Sequence, residues 1–215
     1  MANKKLICFD IDGTLVDNKT SFVTLIEGLG CPVDKVLSIY GAVMAGKISF
    51  PEGEAQVSGI IRSSGKATME FVQKILEKDP IKEESFEVIK YLKNIGYDIW
   101  LVSGAIDIRA GAVAKKIGAT GFYAHSSLEF DGQGVFTKIN YGGDQNPWKA
   151  GIVKKLASEN GIHAVDIVFV GDGAIDIEAF KLTGRGIAVY PYDKDLERVA
   201  WKKIKSLSEI KDILQ

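Results

Sequence analysis

The feature that most constrains the fold is a set of short segments that each contain a near-continuous apolar run. The clearest are residues 4–10, 97–102 and 166–170, and weaker ones are residues 121–125 and 186–190. A strand with one face in water alternates apolar and polar residues, whereas a strand buried on both faces is apolar throughout. These segments therefore predict strands at the centre of a parallel sheet.

Segments with apolar residues at helical spacing lie between the predicted strands. Residues 84–94, 106–117 and 148–159 have this pattern, and each ends close to a glycine, a residue that often ends a helix. Residues 130–137, with Asp-Gly-Gln-Gly at their centre, instead predict a small β-hairpin. The alternation predicts an α/β fold, a Rossmann-like parallel sheet flanked by helices. Ligands of such sheets bind beyond the carboxyl ends of the strands.

One long segment breaks this alternation, because it has helical patterns and no convincing strand. The patterns lie at residues 21–29, 34–45, 51–61 and 67–77. We therefore predict an α/β core formed by residues 1–16 and 80–215, and a helical cap formed by residues 17–79 and inserted after the first strand. Such a cap would lie over the carboxyl end of that strand, and we expect it to open and close about residues 13–17 and 78–80.

Carboxylates and small residues collect where the predicted strands end. The three runs are Asp10-Ile11-Asp12-Gly13-Thr14, then Ser103-Gly104, and then Gly171-Asp172-Gly173-Ala174-Ile175-Asp176. Like charges brought together raise the pKa of at least one carboxyl group unless a cation lies between them. Mg²⁺ prefers carboxylate and carbonyl oxygens with water and phosphate, and no His–Cys cluster suggests zinc. The acidic edge therefore predicts a magnesium site.

These three runs and Lys149, in their order along the chain, resemble the four motifs of the haloacid dehalogenase-like phosphatase superfamily. The third motif is represented by Lys149. The helical insertion resembles the superfamily's first type of cap (C1), and residues 44–50 and 171–180 are most similar to the phosphoserine phosphatase branch. The resemblance implies an Mg²⁺-dependent phosphatase that hydrolyses a small phosphorylated metabolite by way of an aspartyl-phosphate.

The resemblance and side-chain chemistry together imply the roles of the reacting residues. Asp10 would be the nucleophile. Asp12 would protonate the leaving oxygen and then activate water. Ser103 and Gly104 would offer a hydroxyl and a backbone N–H to the phosphate, at the start of a helix whose dipole favours an anion. Lys149 would neutralise charge on Asp10 and on the transferring group.

The remaining acidic residues would serve the metal. Asp172 would hold Mg²⁺ together with Asp10 and the backbone carbonyl of Asp12. Asp176 would orient Lys149 or a metal-bound water.

Several positions depart from the pattern of the phosphoserine phosphatase branch. Lys19 stands where a cap glutamate receives the substrate amino group, and Val57 where a cap arginine binds its carboxylate; Arg62 is the nearest arginine. Ile175 replaces a common Asn or Thr, and Ala105 replaces a glycine. Because a zwitterion would lack its ionic partners, we expect L-phosphoserine to be a poor substrate.

Four other functions use a similar constellation. Asp12 argues against a dehalogenase, since carbon–halogen cleavage leaves no oxygen to protonate. The helical insertion argues against a phospho-aspartate receiver domain, and the complete motif set argues against a silent binding protein. A phosphotransferase or phosphomutase would use the same groups and stays open.

Composition limits the partners and the compartment. The formal net charge is −1, so no basic field favours nucleic acid. No apolar run reaches the length of a membrane span, and the apolar run near the start is too short for a signal peptide. The two cysteines, Cys8 and Cys31, have no pairing framework. We therefore expect a cytoplasmic protein that binds neither nucleic acid nor membrane.

Overall fold

The structure, a computed structural model, is built around one sheet of seven strands in the order β4-β3-β2-β1-β5-β6-β7. It describes residues 5–17, 20–78, 80–143, 145–190 and 193–215. The strands are β1 (Lys5–Phe9), β2 (Tyr97–Ile106), β3 (Gly121–Phe130), β4 (Phe136–Asn140), β5 (Ile167–Gly171), β6 (Gly186–Val189) and β7 (Lys202–Ile204). Neighbouring strands are parallel except β3 and β4, which form an antiparallel hairpin.

Ten α-helices accompany the sheet in the described part of the chain. They are α1 (Ser21–Gly28), α2 (Val33–Met44), α3 (Phe50–Ser63), α4 (Met69–Leu76), α5 (Glu83–Asn94), α6 (Asp107–Ile117), α7 (Gln145–Asn160), α8 (Ile177–Thr183), α9 (Lys194–Val199) and α10 (Ile210–Ile213). The α/β class, the parallel sheet and its flanking helices are confirmed.

The central strand β1 explains why its sequence is apolar without alternation. Ile7 and Phe9 pack on one face of the sheet, in a cluster completed by α5 and α6. Leu6 and Cys8 pack on the opposite face, against α7 and α8. All four side chains are fully buried. Each of these four residues is therefore stabilised by burial, whichever way its side chain points.

The four helices that follow β1 share a separate apolar cluster. Leu25 and Ile26 of α1 pack there with Val57 and Ile61 of α3. The cluster also takes in the β3–β4 hairpin, through residues such as Ile139. The division into core and cap stays a prediction, and Asn18, Lys19 and Asp79 of the predicted cap lie outside the described residues.

Helix α3 covers the outer edge of β4 with three side-chain hydrogen bonds. Glu54 Oε1 accepts the N–H of Tyr141 at 2.7 Å, and Ser58 Oγ accepts the N–H of Ile139 at 3.1 Å. Arg62 donates to the carbonyl oxygen of Thr137. The helix positions are four apart and the strand positions two apart, so the two elements run side by side. An edge strand whose backbone groups are occupied is protected from pairing with another chain.

The end of β2 differs from the sequence prediction. The strand was predicted to end at Val102 with a helix from Ile106, but it continues to Ile106 and α6 begins at Asp107. The additional residues pair with β3 after a register shift between Ser103 and Ile106. The expectation that Ser103 and Gly104 start a helix was therefore wrong.

Candidate active site

The loop after β1 fixes the position of Asp10. Its backbone N–H donates to Val170 of β5 at 2.9 Å, and its Oδ1 accepts the N–H of Ile11 at 2.7 Å. Three residues on, Gly13 has φ of +84°, and a Cβ there would lie 2.2 Å from Asp172 Oδ2. Glycine is required at this position both for the backbone conformation and to let the second acidic loop approach.

Lys149 lies between two carboxylates. Its Nζ is 2.9 Å from Asp10 Oδ2 and 2.6 Å from Asp176 Oδ1, and the side chain is fully buried. Burial alone would lower the pKa of Lys149, but the charges of Asp10 and Asp176 raise it above its ordinary value. The ammonium group is therefore charged at neutral pH and neutralises part of the acidic cluster.

The other carboxylates of the cluster come from the loop after β5. Oxygens of Asp10, Asp172 and Asp176 lie within 4.8 Å of one another. Burial and the charge of Asp10 raise the pKa of Asp172 to about 7, although Thr14 Oγ1 donates to it at 2.7 Å and opposes this shift. A positive charge placed beside Asp172 would lower its pKa and favour the ionised carboxylate.

Asp176 is occupied by protein groups on both of its oxygens. Oδ1 pairs with Lys149, and Oδ2 accepts the backbone N–H groups of Asp172 and Gly173, each at 3.1 Å. Burial is the main reason that its pKa is raised, with Lys149 opposing the shift. A Cβ on Gly171 would lie 2.3 Å from Asp176 Oδ2. The absence of a side chain at Gly171 therefore leaves space for this carboxylate.

Asp12 points to a different set of partners. Its Oδ2 accepts the N–H of Ser21, at the start of α1, at 2.7 Å. Its Oδ1 is 3.1 Å from Arg109 Nε, close enough for an ion pair although the two atoms lack hydrogen-bond geometry. Burial raises the pKa of Asp12 to about 6, while Arg109 and the Ser21 N–H act to lower it. A carboxyl group with a pKa near neutrality suits general acid–base catalysis.

Ser103 and Gly104 lie near the end of β2 and line the same cavity as Asp10 and Asp12. Ser103 is buried, and its Oγ accepts the N–H of Ala105 at 3.1 Å. No helix begins at these two residues, so a helix dipole does not contribute there. Ser103 and Gly104 can therefore bind an anion only through the Ser103 hydroxyl and the backbone N–H groups at this end of the strand.

Arg109 is one of two residues at the site that were not predicted from the sequence. It is almost fully buried on α6, and one terminal nitrogen lies 3.4 Å from Thr24 Oγ1 on α1. A signal for it existed in the sequence, because Arg109 falls among Ala110, Val113 and Ile117 on the buried face of its helix. A charged residue on an apolar helix face needs a buried partner, and here the partner is Asp12.

Lys82, just before α5, is the second residue at the site that was not predicted from the sequence. Its Nζ donates to the carbonyl oxygens of Gly13 and Thr14 at 2.9 and 3.0 Å. It thereby holds the loop that carries the first two aspartates, but nothing in the sequence around it indicates this contact.

One cavity of about 380 Å³ joins the sheet edge to the first two inserted helices. Its lining consists of Asp10, Asp12, Thr20, Ser21, Phe22, Val23, Leu37, Tyr40, Ser103, Gly104, Ala105, Ile106, Ser126, Tyr141, Asp172, Gly173 and Ile175. The acidic residues thus share a space with apolar side chains from α1 and α2. The cavity has room for a small ligand.

The positions that differ from the pattern of the phosphoserine phosphatase branch lie in different parts of the structure. Lys19 lies outside the described residues. Val57 is fully buried in the cluster under the inserted helices, and Arg62 is bound to the backbone of β4. Neither belongs to the cavity lining, whereas Ala105 and Ile175 do.

The fold and this carboxylate cluster define an α/β enzyme whose site lies at the carboxyl ends of β1 and β5. The family model described as haloacid dehalogenase-like hydrolase matches residues 4–184. The chain therefore belongs to the haloacid dehalogenase-like hydrolase family, and the predicted resemblance is confirmed.

Individual relatives agree with this membership. The chain is 34% identical over 191 residues to the phosphoserine phosphatase of Methanocaldococcus jannaschii, covering 86% of this chain and 85% of that one. It is 26% identical over 188 residues to the phosphoserine phosphatase of Lactococcus lactis, covering 87% and 84%. A solved phosphoserine phosphatase described as a phospho-aspartyl intermediate analogue superimposes with a TM-score of 0.78 at 31% identity, over 99% of this chain and 100% of that chain.

A helix that spans a bilayer must be both long and apolar. Within the described residues, no helix combines the length and the apolarity needed to span a membrane.

Proposed function

We propose that this chain is an Mg²⁺-dependent phosphatase that hydrolyses a small phosphomonoester through an aspartyl-phosphate formed on Asp10. The observation that carries the proposal is the pairing of two differently placed carboxylates in one cavity. Asp10 is held beside the ammonium of Lys149, whereas Asp12 has a pKa raised to about 6. One carboxylate is thereby suited to attack and the other to proton transfer.

The donor set fits Mg²⁺. Asp10 and Asp172 offer carboxylate oxygens close together, and the backbone carbonyl of Asp12, in the loop that follows Asp10, would be a third oxygen ligand. Asp176 is a weaker candidate, because its two oxygens already accept hydrogen bonds from Lys149 and two backbone N–H groups. When bound, Mg²⁺ would neutralise the phosphate and fix its orientation toward Asp10.

In the first half of the reaction, a carboxylate oxygen of Asp10 attacks phosphorus in line with the ester oxygen. The ester P–O bond breaks, and the leaving oxygen takes the proton of Asp12. Ser103 and Gly104 hold the phosphoryl oxygens, and Lys149 compensates their charge. The products of this half are an alcohol and a phosphorylated Asp10.

In the second half, the ionised carboxylate of Asp12 takes a proton from water, and the water oxygen attacks phosphorus. The bond between phosphorus and Asp10 breaks, which releases phosphate and restores both aspartates to their starting states. Arg109 keeps the carboxylate of Asp12 in place through both proton transfers.

We further propose that residues 17–79 act as the cap of this site and residues 1–16 and 80–215 as its core. Helices α1 and α2 supply five of the residues that line the cavity. A closed cap would exclude bulk water from the phosphoryl group during its transfer to Asp10.

The names of the relatives make L-phosphoserine the first substrate to test. We expect it to be poor, because its carboxylate would lack a cationic partner. Val57 is uncharged, and neither Val57 nor Arg62 belongs to the cavity lining. An alcohol in place of water in the second half would make the enzyme a phosphotransferase, and adding alcohol acceptors to the assay distinguishes the two.

The test is phosphate release from 4-nitrophenyl phosphate and from an alkyl phosphate, with Mg²⁺ and with EDTA. We expect Asp10→Asn to abolish release from both esters. Asp12→Asn should slow release from the alkyl ester by about 10²- to 10⁴-fold, and slow ester cleavage less with the aryl ester, whose leaving group needs no proton. Asp212→Asn, on the exposed surface, is the matched control. Full turnover by Asp10→Asn would refute the proposal.

A further inference from the structure

The part of the cavity beyond the reacting aspartates differs in chemistry from the part that contains them. Among the described lining residues, the charged side chains are Asp10, Asp12 and Asp172, all of which the phosphoryl group and its metal would engage. No described lining residue is a cation for the carboxylate of an amino-acid substrate. When a zwitterionic substrate entered this part of the cavity, its carboxylate would lose its hydration without gaining a cationic partner, which is strongly unfavourable.

The remaining wall is mainly apolar and aromatic. Phe22 and Val23 come from α1, Leu37 and Tyr40 from α2, Ile106 from β2 and Ile175 from the loop after β5. A fifth element adds Tyr141, whose ring meets Phe22 edge-on with centroids 5.6 Å apart. Side chains from separate parts of the sequence thus build one apolar surface beside the nucleophile.

This surface continues out of the cavity along α2. Leu37 is 46% exposed, Tyr40 39% and Met44 58%, and their spacing of three and four residues places them in one row on the helix. An exposed apolar row beside a cavity offers a surface on which an apolar ligand can pack. Leu37 and Tyr40 also line the cavity, so the row leads to the active site.

We propose that the leaving group of the substrate is an uncharged apolar alcohol, aromatic or branched aliphatic, that packs against this row. The inference rests on the proposed phosphatase function and names its substrate class. The Tyr141 hydroxyl, buried and without a hydrogen-bond partner among the described residues, adds at most an uncharged polar contact. The cavity volume of about 380 Å³ has room for a phosphoryl group with a small leaving group.

The experiment compares phosphate esters of primary alcohols, so that the bond broken is the same in each. 2-Phenylethyl phosphate and 3-methylbutyl phosphate are measured against L-phosphoserine and phosphoethanolamine, with the full chain and Mg²⁺. We expect kcat/KM for the two apolar esters to exceed that for the two charged esters by about tenfold or more. Equal values, or a preference for L-phosphoserine, would overturn the inference while leaving the phosphatase function intact.

A variant pair tests the surface itself. Leu37→Ser should lower the ratio of kcat/KM for 2-phenylethyl phosphate to that for L-phosphoserine by about fivefold, since an apolar contact is lost. Phe86→Ser, at a phenylalanine on α5 that is exposed to a similar extent and lies outside the lining, should leave the ratio unchanged. Equal ratios in the two variants would contradict the role of α2. Absence of release from every ester by the wild-type chain would instead refute the phosphatase function and, with it, this inference.

Discussion

At the scale of single residues, the site depends on buried charged side chains that each have a partner of opposite charge. Lys149 is matched by Asp10 and Asp176, and Arg109 is matched by Asp12. Removing one partner of a buried ion pair leaves the other charge desolvated, which typically costs about 3–5 kcal/mol. These ion pairs therefore fix the positions of the aspartate side chains and also influence their protonation.

Arg109 offers the sharpest residue-scale prediction. Its charge lowers the pKa of Asp12, so Arg109→Met should raise that pKa and move the corresponding limb of the pH–rate profile to higher pH. We also expect kcat for an alkyl phosphate to fall by about tenfold or more, within the range that acid–base catalysis supplies. Arg109→Lys should restore part of both effects. An unmoved pH profile in a folded Arg109→Met protein would show that the residue has only a structural role.

At the scale of elements, the hydrogen bonds between α3 and β4 limit how the predicted cap moves. Hinges at residues 13–17 and 78–80 alone would let the inserted helices swing away from the sheet. Such a movement would break the bonds that Glu54 and Ser58 accept and the bond that Arg62 donates. We therefore expect α3 and the β3–β4 hairpin to move together or not at all.

Amide hydrogen exchange tests this coupling. In the wild-type chain, the N–H groups of Ile139 and Tyr141 should be protected. Ser58→Ala should cost about 1 kcal/mol, the usual net value of one hydrogen bond, and should speed exchange at Ile139 in β4. Glu70→Ala, which removes only an exposed pair with Lys74 on α4, should leave the hairpin unchanged. Fast exchange of both amides in the wild-type chain would contradict the coupling.

The elements also show where sequence reasoning reaches its limit. The buried strands and the helices of the insertion were predictable, because each has a periodic apolar pattern of its own. The end of β2 was not, since residues beyond Ser103 remain extended only through pairing with β3. Strand β7 was missed because two of its three residues are lysines and its partner β6 determines its conformation. Arg109 carried a signal in its helix face, whereas Lys82 carried none.

At the scale of the whole molecule, the acidic cluster couples stability to pH and to metal. The pKa of Asp172 is raised in the folded state from 3.8 to about 7. Between these values the folded, metal-free protein binds more protons than the unfolded chain, so its free energy of unfolding falls as pH rises. Mg²⁺ bound at the proposed site would favour the ionised carboxylates and would therefore reverse this loss.

Thermal unfolding with and without Mg²⁺ checks the coupling. We expect the Mg²⁺-dependent rise in Tm to be larger at pH 7.5 than at pH 5, where protons compete for Asp172. Asp172→Asn should raise the Tm of the metal-free protein at pH 7.5 and remove most of the response to Mg²⁺. A rise in Tm of equal size at both pH values would show that the carboxylates do not titrate in this range.

The central claim, that Asp10 carries the phosphoryl group, is tested most directly by trapping the intermediate. Asp12→Asn protein is mixed with 4-nitrophenyl phosphate and Mg²⁺, quenched in acid and digested, and the peptides are weighed. Because the aryl leaving group needs no proton and the variant lacks the base that activates water, phosphorylated enzyme should accumulate. We predict that the mass of one phosphoryl group is added to the peptide containing Asp10 and that the addition is absent in Asp10→Asn/Asp12→Asn protein. Release of 4-nitrophenol with no phosphorylated peptide, or with the phosphoryl group on another peptide, would contradict the account.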